Sequence, residues 1–470
     1  MTISNHSAEV AVLGGGPGGY VAALVAAQRG ARVALVEKAR VGGTCLNVGC
    51  IPTKVLTSAT ELLVRARRAT EFGLAIPEAA ADLPALMAYK RRTVEQLVGG
   101  VEQLLKARRV TLIHGEARMV KPDTLSIEDG KGGRQEVTAQ RMILAPGSVT
   151  ATSAIAGSHL PGVVTSTGAL EIENVPGRLV VVGGGVIGLE FACIYEALGS
   201  QVTVLEMTPT ILPGATDEVI AKRLHLLLRR RGMEVRTGTV VQRIERMGET
   251  LRVFAETAGA ETGTDCDRAL MATGRWPNTE GMGFGELGLR MNGRAIAVDE
   301  RLATNLPNVW AVGDAIGGWM LAHKAMVDGR VAAENATGGQ RPVDYRSVPS
   351  VIFTRPEAAS VGLTEAQART QGAEVKITQF PFSANPRARI LGESEGVVRL
   401  VCEAGSGRIL GVHLLGAHVT DLIAEGALAV QMGATADDLA WTTHAHPTLP
   451  EAMLEAALGF HEAAIHVHTR

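Results

Sequence analysis

The chain has no excess of charge of either sign: 46 Lys and Arg stand against 48 Asp and Glu in 470 residues, a formal net charge of −2. This balance argues against a nucleic-acid binder, which needs a basic surface. The sequence also lacks an apolar run approaching the ~20 residues of a membrane span. Its polar start, MTISNHSAEV, lacks the layout of a signal peptide. With 46% hydrophobic residues, we expect a globular, cytoplasmic enzyme of about three domains.

Cysteines are few, and two of the five lie close together. Cys193, Cys266 and Cys402 stand alone, and we expect them in the core. Cys45 and Cys50 have four residues between them in the run GGTCLNVGCIPTK, a spacing that can close a small disulfide. A structural disulfide is the alternative, but such bonds are rare inside cells. Beside a nucleotide site, the pair indicates electron exchange between a dithiol and a bound cofactor.

A strand, a glycine-rich turn and a helix follow one another near the start of the chain. The apolar run EVAVL precedes Gly14, Gly16 and Gly19 at GxGxxG spacing, the next segment is Ala-rich, and the following strand, RVALVE, ends on Glu37. Such glycines allow a tight turn and close approach to a pyrophosphate, whose charge the helix N-terminus stabilises. The acid can bond a ribose hydroxyl. The order of these features predicts a dinucleotide site.

The same unit recurs further along the chain. The run RLVVV leads into Gly183, Gly185 and Gly188, a helical segment IGLEFACIYEALG follows, and the strand QVTVLE ends on Glu206. A solvated glutamate at a strand end is the alternative for Glu206. Two complete units predict two bound dinucleotides.

The remaining segments indicate closing strands and a third domain. The runs MILAPGS, LMATGR and VWAVGDA are apolar and end in small-residue turns, and the last contains Asp314. An acid there lies where ligands bind in open α/β sheets, although a turn aspartate has the same pattern. From about Tyr345, short β-rich stretches and two helices, over 421–432 and 450–460, indicate an α+β domain.

Several long motifs occur in order: GGTCLNVGCIPTK, two GxGxxG units, VWAVGDA, MLAH and HAHPTLPE. Together they resemble the flavin-dependent pyridine nucleotide–disulfide oxidoreductases, and among these the dihydrolipoamide dehydrogenases, over nearly the whole chain. The resemblance implies an α/β fold with two Rossmann-like domains, the NAD domain inserted in the FAD domain, and a C-terminal α+β interface domain. The implied boundaries are 1–148 and 276–345 for the FAD domain, 149–275 for the NAD domain and 346–470 for the interface domain.

The resemblance also implies which residues hold the cofactors FAD and NAD. The FAD contacts carried over are Gly14, Gly16, Gly19, Glu37, Lys54, Ala117, Gly147, Asp314, Met320, Leu321, Ala322 and His323. The NAD contacts carried over are Gly183, Gly185, Gly188, Glu190, Glu206, Val240 and Gly274. Lys54 is expected to pair with Glu190 near the flavin ring.

The activity implied is oxidation of protein-bound dihydrolipoyl groups through a Cys45–Cys50 disulfide and FAD, with reduction of NAD⁺ to NADH. In the family, the first cysteine exchanges with the substrate and the second lies against the flavin. The family works as a homodimer. The implied partner is a lipoyl-bearing acyltransferase or a lipoyl carrier protein of a 2-oxo acid dehydrogenase or related complex.

Thiol–disulfide exchange needs a thiolate, so a base helps a dithiol substrate. A histidine, with an unperturbed pKa of about 6.5, suits that task. His446 followed by Pro is by itself typical of a surface turn. The resemblance makes His446 the base at the disulfide of the other subunit and Glu451 the residue that orients it, while His444 is expected to be structural. Pro450 replaces the family's usual Ser; proline is tolerated at a helix start, so the open question is the geometry of Glu451.

Other interpretations of these motifs remain. Within the family, the alternative is a glutathione or mercuric reductase. The end of the chain, HEAAIHVHTR, lacks the cysteine pair of the latter, and Glu206 stands where an NADP enzyme favours Arg. A redox-inactive FAD-binding scaffold is a further class, against which the intact cysteine and histidine motifs argue. His461, His466 and His468 could ligate a metal, but we expect no metal site.

Overall fold

Two parallel sheets organise the chain up to about residue 345 in the computed structural model, which describes residues 4–130, 132–151 and 154–467. The first segment contains four helices and seven strands: β1 Ser4–Leu13, α1 Pro17–Gln28, β2 Val33–Glu37, α2 Gly43–Val48, α3 Cys50–Arg67, α4 Leu83–Ala107, β3 Thr111–His114, β4 Glu116–Lys121, β5 Thr124–Glu128, β6 Arg134–Leu144 and β7 Ser148–Thr150. The first sheet has the order β3-β2-β1-β6-β5-β4. Its strands β3, β2, β1 and β6 are parallel, and β4 and β5 continue it as an antiparallel ribbon.

A second sheet follows. The elements of this segment are β8 Val163–Thr165, α5 Ser166–Ala169, β9 Arg178–Val182, α6 Val186–Leu198, β10 Gln201–Leu205, α7 Glu218–Arg230, β11 Glu234–Arg236, β12 Thr239–Met247, β13 Thr250–Thr257, β14 Ala260–Cys266 and β15 Arg268–Met271. The parallel sheet has the order β11-β10-β9-β15-β8, and β12, β13 and β14 form a separate antiparallel sheet.

The chain then returns to the first sheet. The elements are β16 Arg275–Pro277, β17 Met291–Asn292, β18 Ala295–Ile296, β19 Val309–Ala311 and α8 Ala322–Ala336. Strand β16 pairs antiparallel with β7, so the segment that leaves the first unit and the segment that re-enters it run side by side. Strand β19 pairs with β6 in the first sheet. The second parallel sheet is therefore an insertion in the first unit, which confirms the predicted α/β arrangement.

The last part of the chain is an α+β unit, as predicted. Its elements are β20 Ser350–Ile352, β21 Glu357–Gly362, α9 Glu365–Thr370, β22 Val375–Pro381, α10 Pro386–Ile390, β23 Val397–Glu403, β24 Ile409–Gly416, α11 Val419–Met432, α12 Ala436–Trp441 and α13 Glu451–Leu458. The five strands form an antiparallel sheet of order β20-β21-β24-β23-β22. Short 3-10 turns occur at Ala69–Phe72, Gly313–Ile316, Phe382–Ala384 and Gly459–His461, the last continuing α13.

Alternation of apolar side chains explains why the parallel strands are buried on both faces. In β1, Val10 and Val12 pack into one cluster with α1 and α8, whereas Ala11 and Leu13 pack into another on the opposite face. Successive strand residues point to opposite faces, so a run of apolar residues supplies two cores. No helix within the described ranges is both long and apolar enough to cross a membrane.

Candidate functional site

The first glycine turn contains two glycines that packing requires and a third that has room for a Cβ. Gly14 has φ +96°, and a Cβ there would lie 2.2 Å from the carbonyl oxygen of Ala145. A Cβ at Gly19 would lie 1.8 Å from the oxygen of Gly14. At Gly16 the nearest atom is the Cα of Gly43, at 3.9 Å. The space in front of Gly16, at the uncapped start of α1, therefore fits a pyrophosphate.

The second glycine turn repeats this arrangement. A Cβ at Gly183 would lie 2.4 Å from the oxygen of Ala272, and one at Gly188 would lie 2.0 Å from the oxygen of Gly183. A Cβ at Gly185 would meet nothing within 4 Å, and no side chain caps α6, which begins after it. The residues again fit a dinucleotide phosphate at a helix N-terminus.

The acids at the ends of β2 and β10 brace these turns. Oε2 of Glu37 accepts the N–H of Gly15 at 2.7 Å, and Oε2 of Glu206 accepts the N–H of Gly184 at 2.6 Å. The second oxygen of Glu206 accepts both the N–H and the hydroxyl of Thr208, each at 2.8 Å. Glu206 is buried, so it is not a solvated strand-end residue. Both acids lie directly at the glycine turns, where a ribose of a bound dinucleotide is expected.

The cysteine loop packs directly on the first glycine turn. The N–H of Gly42 donates to the oxygen of Gly15 at 2.7 Å. A Cβ at Gly43 would lie 2.7 Å from the Cα of Gly16. Cys45 lies in α2 and Cys50 is the first residue of α3, so the loop delivers both thiols beside the proposed pyrophosphate space.

The Cys45 and Cys50 thiols interact with each other and differ in acidity. The hydrogen bond with Cys50 and burial raise the pKa of Cys45. The hydrogen bond from Cys45 and the positive charge of Lys54 lower the pKa of Cys50 to about 7, against the opposing effects of burial and Glu190. Cys50 is therefore the thiolate of the pair near neutral pH, and Cys45 is its hydrogen-bond donor.

Lys54 and Glu190 form the expected pair across the first and second units. Nζ of Lys54 lies 2.9 Å from both carboxylate oxygens of Glu190, whose side chain is only 4% exposed. The N–H of Phe353 also donates to Glu190 at 3.0 Å, and the Phe353 ring lies 4.6 Å from the Lys54 ammonium. This contact brings a residue of the C-terminal unit to the site and satisfies a buried charge pair.

Asp314 belongs to a chain of polar contacts that reaches the cysteine loop. The hydroxyl of Ser148 donates to Asp314 at 2.5 Å, and Nε of Arg275 donates to the Ser148 hydroxyl at 2.8 Å. Arg275 also reaches the hydroxyl of Thr44 at 3.4 Å. Burial lowers the pKa of Arg275, while the charges of Asp314 and Cys50 oppose that effect. Asp314 is therefore part of a network and is not an isolated turn residue.

The MLAH segment leads into α8. Leu321 is the N-cap residue, Ala322 is the first helical residue, and no side chain caps the helix. Nε2 of His323 lies 2.7 Å from the oxygen of Pro349 and donates to it, since a carbonyl only accepts. Met320 and Leu321 line a cavity between the units.

The other predicted contacts lie around the same sheet edges. Gly147 follows β6 and Gly274 follows β15, each at the carboxyl end of a strand beside a glycine turn. Ala117 is buried in β4. Val240 is exposed on β12 and follows Thr239, whose backbone N–H donates to the carbonyl oxygen of Glu206.

His446 and Glu451 form the expected pair despite Pro450. Nδ1 of His446 lies 2.8 Å from Oε1 of Glu451, and it is the donor because a carboxylate only accepts. The other oxygen of Glu451 accepts the N–H of Thr448 at 2.6 Å. Burial raises the pKa of Glu451, but these hydrogen bonds outweigh it and the pKa is lowered. Pro450 is the N-cap of α13, where its missing N–H leaves no helix bond unmade.

The histidine pair and the cysteine pair are not brought together within one chain. Lys54, Glu190 and Arg275 are the charged groups beside Cys50, and the His446 side chain is 70% exposed. His444 behaves as the expected structural residue: its side chain is buried, and its nitrogens bond to Glu425 and to a backbone oxygen.

The C-terminal histidines within the described residues bond to carboxylates. His461 lies 2.8 Å from Asp437, and His466 lies 2.7 Å from Glu455. Over residues 4–467, apart from the gaps at 131 and 152–153, no group of three or more potential ligands could hold a metal. His468 lies outside the described residues.

Four contributors to the site were not predicted from the sequence: Ser148, Thr208, Arg275 and Phe353. Ser148 and Arg275 lie at the ends of apolar segments that were recognised only as strands. Thr208 follows Glu206 by two residues, and a hydroxyl so close to a strand-end acid was an available signal. No sequence signal identifies Phe353, because it contacts Lys54 and Glu190 only in the folded chain.

Known proteins resemble this chain in sequence and in architecture. The signature described as Pyridine nucleotide-disulphide oxidoreductase matches residues 8–329, and that of the family's dimerisation domain matches residues 348–457. A dihydrolipoyl dehydrogenase of Thermus scotoductus is 44% identical over 466 residues, covering 98% of this chain and 99% of that protein. One from Geobacillus stearothermophilus is 40% identical, covering 98% of each chain. LpdA of Mycobacterium tuberculosis superposes with a TM-score of 0.88 at 28% identity, covering 97% of this chain and 99% of LpdA. The chain therefore belongs to the pyridine nucleotide–disulphide oxidoreductase family.

Proposed function

We propose that this protein is an FAD-dependent dihydrolipoyl dehydrogenase that reduces NAD⁺. The observation that carries the proposal is the thiol pair Cys45–Cys50 on the first glycine turn, with Cys50 made acidic beside Lys54. Relatives named dihydrolipoyl dehydrogenase, alike over nearly the full length, give the substrate class. FAD, held at Gly16, Glu37, Lys54 and Asp314, would carry the two electrons between the thiol pair and the nicotinamide.

The residues of the chain divide the thiol chemistry among them. His446 takes a proton from one thiol of the substrate, and the resulting thiolate attacks the sulfur of Cys45, breaking the Cys45–Cys50 bond. Cys50 leaves as a thiolate, stabilised by Lys54. The second substrate thiol then displaces Cys45, so the substrate becomes a cyclic disulfide and the protein retains one thiol and one thiolate. Two electrons pass to the protein, and two protons remain on Cys45 and His446.

A homodimer completes this site. The match to a dimerisation domain over residues 348–457 supports it. In the single chain, His446 is largely exposed and is not among the groups acting on Cys50. We propose that it serves the cysteine pair of the partner subunit. The physiological substrate is then a lipoyl group on an acyltransferase or lipoyl carrier protein, long enough to enter between two subunits.

The test is NADH formation from free dihydrolipoamide by the purified holoenzyme. The wild type should reduce NAD⁺, and Cys45→Ser and Cys50→Ser should each abolish that reaction while retaining bound flavin. Cys266→Ser is the matched control, since that thiol is buried in β14 of the separate antiparallel sheet. Reduction of glutathione disulfide with NADPH in place of dihydrolipoamide oxidation would favour the glutathione-reductase alternative, and wild-type turnover in either loop variant would exclude the dithiol mechanism.

A further inference from the structure

A cavity of about 720 Å³ lies where the inserted unit, the MLAH segment and the C-terminal unit meet. Val186, which directly follows the second glycine turn, lies on one side, and Met320 and Leu321, expected at the flavin, lie on another. Residues 213–219, which we name the nicotinamide wall, line a third side. The cavity therefore adjoins both the expected NAD site and the expected flavin site.

The nicotinamide wall is attached at its start to the second glycine turn and at its end to the C-terminal unit. The N–H of Leu212 donates to the oxygen of Gly184 at 2.9 Å. The hydroxyls of Thr216 and Ser360 lie 2.7 Å apart, which joins the wall to β21. The wall is thus continuous with the turn that holds the nucleotide.

Arg399 of β23 supplies the second link to the wall. Its Nε lies 3.5 Å from Asp217, and its Nη2 bonds to Glu365 of α9. The side chains of Arg399 and Asp217 are only 9% and 4% exposed. Asp217 in turn accepts the N–H of Val219 at 2.9 Å and caps α7. Arg399 therefore fixes a buried acid within the nicotinamide wall, and it bridges two units of the chain.

Removing this guanidinium has a defined consequence. Asp217 would remain buried without its counter-charge, which strongly disfavours the native position of a carboxylate. The neighbouring imidazole of His413 is a weaker replacement, because its Nε2 is engaged with the oxygen of Leu363 and burial, the largest effect on it, lowers its pKa. Asp217 would have to move toward water, and the wall with it.

We propose that Arg399 is a positioning residue for the nicotinamide nucleotide: it holds Asp217, and through it the wall of the nicotinamide cavity. This proposal rests on one part of the proposed function, which is that a nicotinamide nucleotide binds in this cavity. Arg399 does not contact the cysteine loop, so its effect falls on the affinity for NAD⁺ and NADH and not on thiol exchange.

The test compares Arg399→Met with Arg408→Met in the holoenzyme. Arg408 follows the same strand and pairs with Glu403 at 3.2 Å, but it is exposed and is not among the residues that line the cavity. In Arg399→Met the Kd for NADH, measured by fluorescence titration, should rise about fivefold, the lower end of typical couplings between sites. The KM for NAD⁺ should rise equally, while kcat and the KM for dihydrolipoamide stay within about twofold. Arg408→Met should match the wild type, and Arg399→Lys should recover part of the affinity.

Two results would overturn the assignment: an unchanged Kd for NADH in a folded Arg399→Met, or an equal rise in Arg408→Met. If Arg399→Met does not fold, Ser360→Ala removes the milder link, and its Kd for NADH should rise about twofold; no rise would count against the role of the wall. Hydrogen exchange over 213–219 should increase in the affected variants. A wild type that binds NADH but does not oxidise dihydrolipoamide would overturn the proposed function alone, because the binding comparison needs no dithiol substrate.

Discussion

The acidity of Cys50 should depend on a hydrogen bond from Cys45, and this can be tested by exchanging one atom. The hydrogen bond is the largest influence that lowers the Cys50 pKa to about 7, and the charge of Lys54 adds to it. Cys45→Ser retains a donor at the same position, whereas Cys45→Ala removes it. The Cys50 pKa should therefore stay near 7 in Cys45→Ser and rise toward the ordinary thiol value of 9.0 in Cys45→Ala.

The expected difference is large enough to measure at one pH. At pH 8, a pKa of about 7 gives roughly ten thiolates per thiol, and a pKa of 9.0 reverses that ratio. The fraction of Cys50 present as thiolate should thus fall from about nine tenths to about one tenth between the serine and alanine variants. Burial raises the Cys50 pKa more strongly than the charge of Lys54 lowers it, so the alanine variant should reach or exceed the value of 9.0.

Alkylation by iodoacetamide measures this directly, because the thiolate is the reacting form. Burial raises the pKa of Cys193 to about 12, of Cys266 to about 11 and of Cys402 to about 12. These thiols therefore remain protonated and do not react with iodoacetamide between pH 5 and 9. The pH midpoint of Cys50 alkylation, followed by mass spectrometry, then reports its pKa. Equal midpoints in Cys45→Ser and Cys45→Ala would refute the argument, and so would a midpoint near 9 in the serine variant.

Three further outcomes follow from the site. His446→Gln should keep its flavin and its KM for NAD⁺ but lose about 10²–10⁴-fold in dihydrolipoamide turnover, with a smaller loss in Glu451→Gln, as steady-state kinetics would show. Gly185→Val should abolish NADH binding without lowering the melting temperature, since nothing lies within 4 Å of its Cβ, whereas Gly188→Val should fail to fold because its Cβ would lie 2.0 Å from a backbone oxygen. Glu206→Arg should reduce or invert the preference for NAD⁺ over NADP⁺ in kcat/KM, and a wild type with no preference would remove that role.

The two dinucleotide units could be predicted because their signals are local. Glycine spacing, a short apolar strand on either side and a terminal acid all lie within one stretch, so the pattern and the structure coincide. The antiparallel sheet of β12, β13 and β14 was not predicted, although Leu251, Val253 and Ala255 alternate with exposed or half-buried residues along β13. The same alternation of apolar and other side chains is present in the sequence, so this sheet has a local signal outside the βαβ pattern.

The tertiary contacts of the site could not be found by reading spacing. Lys54 and Glu190 are 136 positions apart, and only the resemblance suggested their pairing. The contact of Phe353 with both has no sequence signature at all. The helix after Pro450 was predicted to begin at that proline, but it begins at Glu451 with the proline as its cap. Glu451 is therefore the first helical residue, and its carboxylate extends back to His446.

The bracing of both glycine turns changes how the strand-end acids should be understood. Glu37 and Glu206 each give one oxygen to the N–H of the second residue of their turn and the other to a residue two positions further on. An acid at this position therefore closes the turn before any ribose is bound, and a change of nucleotide preference in Glu206→Arg combines two effects. Glu206→Gln separates them, because its single carbonyl oxygen can still accept the N–H of Gly184 while the negative charge that repels a 2′-phosphate is gone. If Glu206→Gln keeps its melting temperature and prefers NAD⁺ less strongly over NADP⁺, the preference of the wild type is due to the charge of Glu206. If Glu206→Gln binds neither nucleotide, the role of Glu206 is to close the turn.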